Sequence, residues 1–157
     1  MVAYLGLGSN LGDRQSEISM AVQVLSKVGR VVATSARYET LPEGGLDQPK
    51  YINAVTRMET DLSARDLLRA CLNVERVRGR IRPSGTTKAS RTIDIDLLLY
   101  GSDVISEPDL SVPHPALLSR PFVRIPLADV ALPGLRHPIT GDLLDRCEPD
   151  ATVRRLG

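Results

Sequence analysis

Residues 91–100 read Arg-Thr-Ile-Asp-Ile-Asp-Leu-Leu-Leu-Tyr, and this stretch decides which fold the rest of the chain can form. Its first half alternates strictly, and the pattern predicts that Ile93, Ile95, Leu97 and Leu99 project to one side while Thr92, Asp94 and Asp96 project to the other. Alternation with a period of two predicts a half-buried β-strand, which the turn residues Gly101 and Ser102 end.

Helical and extended patterns alternate on the N-terminal side of this strand. Ser63 is the predicted N-cap of a helix, because Asp66 follows it three residues later. The predicted buried stripe of that helix is Leu67, Leu68, Cys71 and Leu72. The predicted strands cover residues 2–7, 31–40, 51–59 and 91–100, and the predicted helices cover residues 13–28 and 63–79.

The order β-α-β-β-α-β predicts an α+β fold. Specifically, we expect a ferredoxin-like α/β sandwich, in which helices pack on an antiparallel sheet, with three layers and C-terminal additions. Beyond the strand at 91–100 the chain is interrupted by prolines. There we expect a short return strand over residues 103–106 and short helices near residues 116–119, 122–130 and 142–147.

The composition is that of one globular domain. The chain has 157 residues, 42% of them apolar and 25% charged, and we expect a single domain over residues 1–157. No apolar run approaches the roughly 18 residues of a membrane helix, so neither a membrane span nor a signal peptide is expected. Two cysteines, Cys71 and Cys147, are too few for a disulfide framework and predict a cytoplasmic protein.

The net charge of +1 is the sum of two opposed blocks. Residues 76–91 hold six basic side chains and no acid, and residues 92–110 hold five acids and no base. Most of the basic side chains are arginines, whose guanidinium groups bind phosphate or carboxylate in a forked geometry. The junction is therefore a candidate site, although a solvated helix end followed by a polar strand would give the same pattern. Asp103, Glu107 and Asp109 are expected to be solvated surface.

Asp94 and Asp96 are the candidate metal ligands. Carboxylates two residues apart on one face of a strand lie about 6.6–7 Å apart at the backbone, and they repel each other unless a cation lies between them. Mg²⁺ is typically bound by one or two protein carboxylates together with substrate phosphates, so the pair predicts a Mg²⁺–nucleotide site. The alternative is the exposed polar face of a half-buried strand, but aspartate is depleted in strands.

Cationic groups on both sides of this strand are candidates for binding phosphate. Arg80 and Arg82 follow the predicted helix, Arg91 opens the strand, and His114 lies between two prolines with Arg120 close behind it. A polyphosphate held by a metal needs such partners on its other side. The cysteines and histidines lack zinc-ligand spacing, and the chain has neither a P-loop sequence nor a Ser-His-Asp arrangement.

Four stretches together resemble a known enzyme family. They are Gly6-Leu7-Gly8-Ser9-Asn10-Leu11-Gly12-Asp13; Tyr38-Glu39-Thr40 with Asp47-Gln48-Pro49-Lys50-Tyr51-Ile52-Asn53-Ala54; Glu75 and Gly79-Arg80-Ile81-Arg82 with Arg91-Thr92-Ile93-Asp94-Ile95-Asp96; and Val112-Pro113-His114-Pro115 with Arg120 and Phe122. In this order they resemble the 6-hydroxymethyl-7,8-dihydropterin pyrophosphokinases of folate biosynthesis, and the resemblance covers nearly the whole chain.

The resemblance implies an activity and the residues that perform it. An intact pyrophosphoryl group would pass from ATP to the hydroxymethyl oxygen of the pterin, with release of AMP. Asp94 and Asp96 would bind two Mg²⁺ ions, Asp94 would also lie near the attacking hydroxyl, and Tyr51 and Phe122 would sandwich the pterin. The implied catalytic residues are Asp94, Asp96, Arg80 and Arg91; ATP would be bound by Glu75, Arg80, Arg82, Arg91, His114 and Arg120; the pterin would be bound by Thr40, Tyr51, Asn53 and Phe122.

Two other functions are compatible with the predicted fold. A nucleic-acid-binding module would use the arginines on phosphates, but its sheet would need exposed aromatic side chains, and aromatics are only 3% of this chain. A non-catalytic small-molecule sensor would account for the fold but not for paired aspartates beside arginines. We therefore expect a Mg²⁺-dependent monomeric enzyme that acts on ATP and a pterin, with no nucleic acid, membrane or obligate protein partner.

Overall fold

An antiparallel sheet forms the centre of the computed structural model, which describes residues 1–10, 12–40, 50–78 and 93–156. Three helices and eight strands lie within these ranges. The strands are β1 (Val2–Ser9), β2 (Arg30–Thr34), β3 (Tyr38–Thr40), β4 (Tyr51–Glu59), β5 (Asp94–Tyr100), β6 (Ile105–Glu107), β7 (Leu110–Val112) and β8 (Val153–Arg155), and the helices are α1 (Arg14–Leu25), α2 (Ala64–Val77) and α3 (Pro121–Val130).

The first strand lies in the interior of the sheet. The strand order is β5-β1-β4-β3-β8, and β2 also pairs with β4. Within the described residues, every strand pairing in this sheet is antiparallel, and β6 and β7 form a separate two-stranded sheet. Within the described residues, no helix has both the length and the apolar character that crossing a membrane requires.

Helices cover both faces of the sheet, which makes three layers. On one face, α1 and α2 pack against a core that includes Leu5, Leu7 and Met58. On the other face, α3 packs against a second core that includes Tyr4 and Val55. The predicted α+β sandwich with an antiparallel sheet is therefore confirmed.

The two longer helices begin at the residues that the sequence predicts. The Asp13 carboxylate accepts the Ser16 N–H at 3.2 Å, and the Ser63 hydroxyl accepts the Asp66 N–H at 3.1 Å. Each contact pairs a donor that the first helical turn leaves unpaired. α1 ends at Leu25, three residues before the predicted end, and the predicted end of α2 at Gly79 lies outside the described residues.

The buried stripe of α2 differs from the prediction at Leu72 and continues further along the helix, through Val74 and Glu75. Its members Leu67, Cys71, Val74 and Glu75 recur at the four- and seven-residue spacing of one helix face. Leu72 lies off this face and is 48% exposed, so its assignment to the stripe was wrong.

The strand predicted over residues 31–40 is two strands. β2 ends at Thr34 and β3 begins at Tyr38, and both pair with β4. At the break, Ser35 donates its backbone N–H to the Val55 carbonyl at 2.8 Å, and its hydroxyl accepts the Val55 N–H at 2.9 Å. A side-chain hydroxyl thus replaces one backbone carbonyl in the ladder, a substitution that apolar patterning does not reveal.

The C-terminal third contains fewer helices than predicted. The strand expected at 103–106 forms as β6, but it pairs with β7 and does not return along β5. The helix expected at 142–147 would have only six residues, and so short a helix is marginal without tertiary packing. In the structure, the Leu144 N–H donates to the carbonyl of Leu135, which lies outside this segment, at 2.8 Å. The helix predicted at 122–130 is confirmed as α3, whereas residues 116–119 form a turn and residues 142–147 form no helix.

Two contacts fix α3 to the sheet. The Tyr38 hydroxyl donates to Asp129 Oδ2 at 2.7 Å, and Arg57 Nη1 donates to the Val130 carbonyl at 2.5 Å. Burial and the Asp129 carboxylate raise the pKa of Tyr38 to about 12, so its hydroxyl stays protonated and remains a donor. These contacts set the direction in which the N-terminal end of α3, with Phe122, approaches the sheet.

His137 is buried in the C-terminal segment, and its neutral form fits the surroundings. Its Nδ1 accepts the N–H groups of Ile139 and Thr140, each at 3.2 Å. Burial lowers the pKa of His137 from its ordinary value of 6.5; Asp142 opposes this shift and Arg124 adds to it. A protonated Nδ1 could not accept either hydrogen bond.

We expect the free energy of unfolding to fall as the pH drops below about 6.5. The unfolded chain binds a proton at the ordinary pKa of His137, whereas the folded chain binds it only at a lower pH, so unfolding takes up a proton between the two values. Urea unfolding of the wild type and of His137→Asn between about pH 7.5 and 5.5 measures the effect. The asparagine can still accept both N–H groups, so the variant should lose less stability over this range. Equal losses in the two proteins would contradict the assignment.

Candidate active site

One row of paired residues brings the metal candidates and the pterin candidates to the same face of the sheet. Asp94 on β5 pairs with Gly8 on β1, Gly8 pairs with Asn53 on β4, and Asn53 pairs with Tyr38 on β3. Directly paired residues project to the same side of a sheet. Adjacent strands lie 4.7–4.9 Å apart, so the backbones of Asp94 and Asn53 are about 10 Å apart.

Gly8 keeps the space between these two groups open. A Cβ atom at Gly8 would lie 3.0 Å from Asn53 Oδ1 and 3.6 Å from the Tyr51 ring. At Gly6, on the same face, an added Cβ would meet only the Leu98 side chain, at the ordinary contact distance of 3.5 Å. The apolar pattern predicts that Gly8 ends the first strand, and this was wrong, because β1 continues through Gly8 to Ser9. The available signal was a glycine within an apolar strand, which often marks a close approach of a ligand or another backbone.

The two aspartates occupy the positions that the alternation predicts. Ile93 and Ile95 are buried in the core under α2, and Asp94 and Asp96 lie half-buried on the opposite face. The prediction was wrong for Leu99, which packs in the core under α3, because the pairing of β5 with β1 shifts its register between Tyr4 and Leu5. Among the described residues, no group of three or more His, Cys, Asp or Glu side chains is placed to hold a metal. The described donor set is therefore the two carboxylates, which suits an ion that also binds water and substrate phosphate.

Glu75 supports the strand that carries the aspartates. Its side chain is buried between α2 and β5, with 2% of the residue exposed, and its Oε2 accepts the Ile95 N–H at 2.7 Å. This hydrogen bond holds the backbone between the two aspartates. The neighbouring Cys71 thiol has its pKa raised to about 12 by burial and by the charges of Glu75 and Asp96, so it stays protonated and packs as a small apolar group.

The polar pterin candidates contact each other. Thr40 and Asn53 are both buried, and Asn53 Nδ2 donates to Thr40 Oγ1 at 2.7 Å. Thr40 pairs in register with Tyr51, which is half-buried at the start of β4. Two adjacent strands therefore present an amide, a hydroxyl and an aromatic ring within one small area.

His114 and Arg120 lie on the segment that leads into α3. The His114 N–H donates to the Leu98 carbonyl at 2.9 Å, which fixes the turn to β5 two residues beyond Asp96. His114 Nδ1 accepts the Ala116 N–H at 3.1 Å. The Arg120 guanidinium lies over the Phe122 ring, 5.6 Å from its centroid, so one ATP candidate and one pterin candidate stack on each other.

The basic block is only partly within the described residues. Arg78 binds Glu17 in a forked ion pair with N–O distances of 2.7 and 3.1 Å, and Arg76 donates to Asn73 Oδ1. Arg78 therefore pairs with a carboxylate of the protein itself. The remaining members of the block, among them the predicted site residues Arg80, Arg82 and Arg91, lie outside the described residues.

The acidic residues of the segment 92–110 do not all lie at the candidate metal site, because Glu107 and Asp109 pair with Arg65. Arg65 on α2 forms a forked pair with Asp109, at 2.9 and 3.1 Å, and also binds Glu107. The guanidinium lowers the pKa of Asp109 from its usual value. Glu107 and Asp109 are exposed, as expected, and Arg65 pairs with both and so attaches the β6–β7 hairpin to α2.

The sequence of the chain matches a family model along most of its length. The model of 7,8-dihydro-6-hydroxymethylpterin-pyrophosphokinase (HPPK) matches residues 4–132. A 2-amino-4-hydroxy-6-hydroxymethyldihydropteridine pyrophosphokinase of Porphyromonas gingivalis is 42% identical over 133 residues, which are 83% of this chain and 90% of the relative. One of the same description from Pseudomonas aeruginosa is 39% identical over 159 residues, 98% of this chain and 95% of the relative.

Solved structures confirm the fold. A Plasmodium falciparum HPPK-DHPS crystal structure superimposes with a TM-score of 0.70 at 16% identity, over 92% of this chain and 42% of that one. This chain therefore spans less than half of that HPPK-DHPS protein, and the likeness concerns the fold. The match to the family model and the two relatives show that the chain belongs to the 7,8-dihydro-6-hydroxymethylpterin-pyrophosphokinase family, whose members are pyrophosphoryl-transferring enzymes of folate biosynthesis.

Proposed function

We propose that this chain transfers the pyrophosphoryl group of ATP to the hydroxymethyl oxygen of 6-hydroxymethyl-7,8-dihydropterin and releases AMP, with Mg²⁺ as the metal. The observation that carries the proposal is the row in which Gly8 lies between Asp94 and Asn53 on one face of the sheet. Residues 1–157 would act as one domain and as a monomer. The free thiols Cys71 and Cys147 favour a reducing compartment, the cytoplasm.

The pterin would bind at the end of the row formed by β3 and β4. Thr40 and Asn53 are held rigidly by burial and by their mutual hydrogen bond. Buried groups of this kind select a ligand by its donors and acceptors, because a ligand without them leaves the groups unpaired. Tyr51 and Phe122 would pack on the two faces of the flat ring, since aromatic side chains provide large apolar contacts of fixed shape.

The nucleotide would bind at the β5 end of the row. Asp94 and Asp96 would hold Mg²⁺; they share one face, are partly accessible and repel each other when no cation is bound. The metal supplies neutralisation of charge on the phosphate oxygens. Glu75 would act behind the strand, because its carboxylate fixes the Ile95 backbone between the two ligands.

The remaining work of the protein is positioning and charge stabilisation. The hydroxymethyl oxygen forms a bond to the β-phosphorus and loses its proton to a nearby carboxylate or to water. The bond from that phosphorus to the bridging α-phosphate oxygen breaks, and AMP leaves with this oxygen. Asp94, on the pterin side of the pair, would lie nearest the attacking hydroxyl. Preorganised guanidinium and N–H groups stabilise the charge that develops on the phosphates, and this is the role we assign to Arg80, Arg82, Arg91, His114 and Arg120.

We expect AMP to form from ATP only when both Mg²⁺ and 6-hydroxymethyl-7,8-dihydropterin are present. Chromatographic separation of the nucleotides, with each component left out in turn, measures this directly. ADP as the nucleotide product would show transfer of a single phosphoryl group and contradict the proposal. A folded protein that forms no AMP would also contradict it.

Asp96→Ala should lower kcat by at least about a hundredfold, because losing a metal ligand removes several kcal/mol of transition-state stabilisation. Steady-state AMP release at saturating Mg²⁺ measures the loss. The matched control is Asp103→Asn, which changes an exposed carboxylate in the turn after β5 and should leave kcat within twofold of the wild type. Unaltered turnover in a folded Asp96→Ala protein would refute the metal assignment.

Gly8→Ala should raise the KM for the pterin by about tenfold, the effect of displacing one hydrogen-bonding group. The new methyl group would lie 3.0 Å from Asn53 Oδ1 and would push the amide away from its position. Gly6→Ala is the control on the same strand and face, where the methyl group meets only Leu98 at 3.5 Å. Equal KM values for the pterin in these two variants would show that Gly8 has no special role.

A further inference from the structure

One guanidinium nitrogen joins the two strand ends that carry the pterin candidates. Arg14 Nη1, at the start of α1, lies 3.2 Å from Glu39 Oε2 and donates to the Lys50 carbonyl at 2.6 Å. Glu39 immediately precedes Thr40 at the end of β3, and Lys50 immediately precedes Tyr51 at the start of β4. The Arg14 side chain thus contacts the residue before Thr40 and the residue before Tyr51.

Glu39 acts from behind the sheet. It alternates with Tyr38 and Thr40 along β3, so its side chain projects to the α1 face and away from Asn53. The Glu39 side chain is 12% exposed, and the Arg14 side chain is 29% exposed. A hydrogen bond from Arg154, followed by the one from Arg14, lowers the pKa of Glu39 against the opposing effect of burial.

The second arginine comes from the C-terminal strand. β8 pairs with β3 in register, with Arg154 opposite Glu39 and Val153 opposite Thr40, and Arg154 Nη2 donates to Glu39 Oε1 at 2.7 Å. This strand follows the last residue of the family match, residue 132. A segment outside the matched region therefore braces the strand that ends in Thr40.

We propose that Arg14 and Glu39 are positioning residues for the pterin, which hold Thr40 and Tyr51 in register from the face opposite the substrate. The proposal rests on the proposed function, in which Thr40 and Tyr51 bind the pterin. Neither Arg14 nor Glu39 contacts the substrate in this arrangement. Exposed ion pairs contribute little to stability. The Arg14–Glu39 pair is largely buried, and Arg14 also donates to the Lys50 carbonyl, so we expect its contribution to be comparable to that of a charge-assisted hydrogen bond.

Arg14→Ala should raise the KM for the pterin by about tenfold, while kcat and the KM for ATP stay within about twofold. Arg14→Lys should restore most of the pterin affinity, because both contacts come from one nitrogen and a single ammonium can make them. A folded Arg14→Ala protein with an unchanged KM for the pterin would overturn the proposal. An equal rise in both KM values would also overturn it, since that result indicates a general structural defect.

The chain offers a matched control on the same helical turn. Glu17 pairs with Arg78 at 2.7 Å, with side-chain exposures of 13% and 28% that nearly equal those of Glu39 and Arg14. Glu17→Gln therefore removes a comparable ion pair of α1 that touches neither β3 nor Lys50. Its KM for the pterin should equal that of the wild type, and a rise like that of Arg14→Ala would contradict the specific role of Arg14.

A measurement without substrates separates this proposal from the proposed function. In Arg14→Ala, the amide hydrogens of β3 and β8 should exchange about tenfold faster than in the wild type, and those of β1 and β5 should not change. If the wild type forms no AMP, the proposed function fails, but the exchange result still decides whether Arg14 holds these strands. Unchanged exchange in β3 and β8 would overturn the proposal whatever the activity.

Discussion

The register of β1 between β4 and β5 is the constraint on which the site depends. This strand pairs on both sides, so the position of Gly8 sets Asp94 and Asn53 against each other at once. A shift of one residue in either pairing would turn the polar groups of one strand into the core and its apolar groups into solvent. The apolar residues under α1 and α2 oppose such a shift, and the geometry of the site is therefore a by-product of core packing.

Support for the site comes from the face that no substrate would touch. Glu75 fixes the backbone of β5 from α2, and Arg14 fixes the ends of β3 and β4 from α1. Both are charged groups in largely buried positions, where an unpaired charge would be costly and a paired one is held in a defined geometry. On the other face, the strands present the groups that would contact substrates, among them Asp94, Asp96 and Tyr51. The sheet thus separates the residues that fix the strands from the residues that would bind the substrates.

The strand elements were predictable where one face of a strand is buried. Alternation around Asp94 and Asp96 indicates correctly which side chains face the core, and Ser63 marks the start of α2 because a cap is a local interaction. Long-range contacts were not predictable in this way. Neither the pairing of Arg65 with Asp109, 44 residues away, nor that of Glu39 with Arg154, 115 residues away, leaves a local pattern in the chain. The hydroxyl of Ser35 within the ladder is a similar case, because serine alone does not distinguish a strand break from a strand.

The pairing of Ala3 with Tyr100 has a consequence for the synthesis of the protein. β1 leaves the ribosome first, but its two neighbours begin at Tyr51 and Asp94. At about 5–20 residues per second, the apolar stretch from Val2 to Leu7 waits for several seconds with both of its edges unpaired. Over this interval the nascent chain has an open template for pairing with other strands. The central place of β1 thus makes its pairing depend on partners that are synthesised later, from distant parts of the chain.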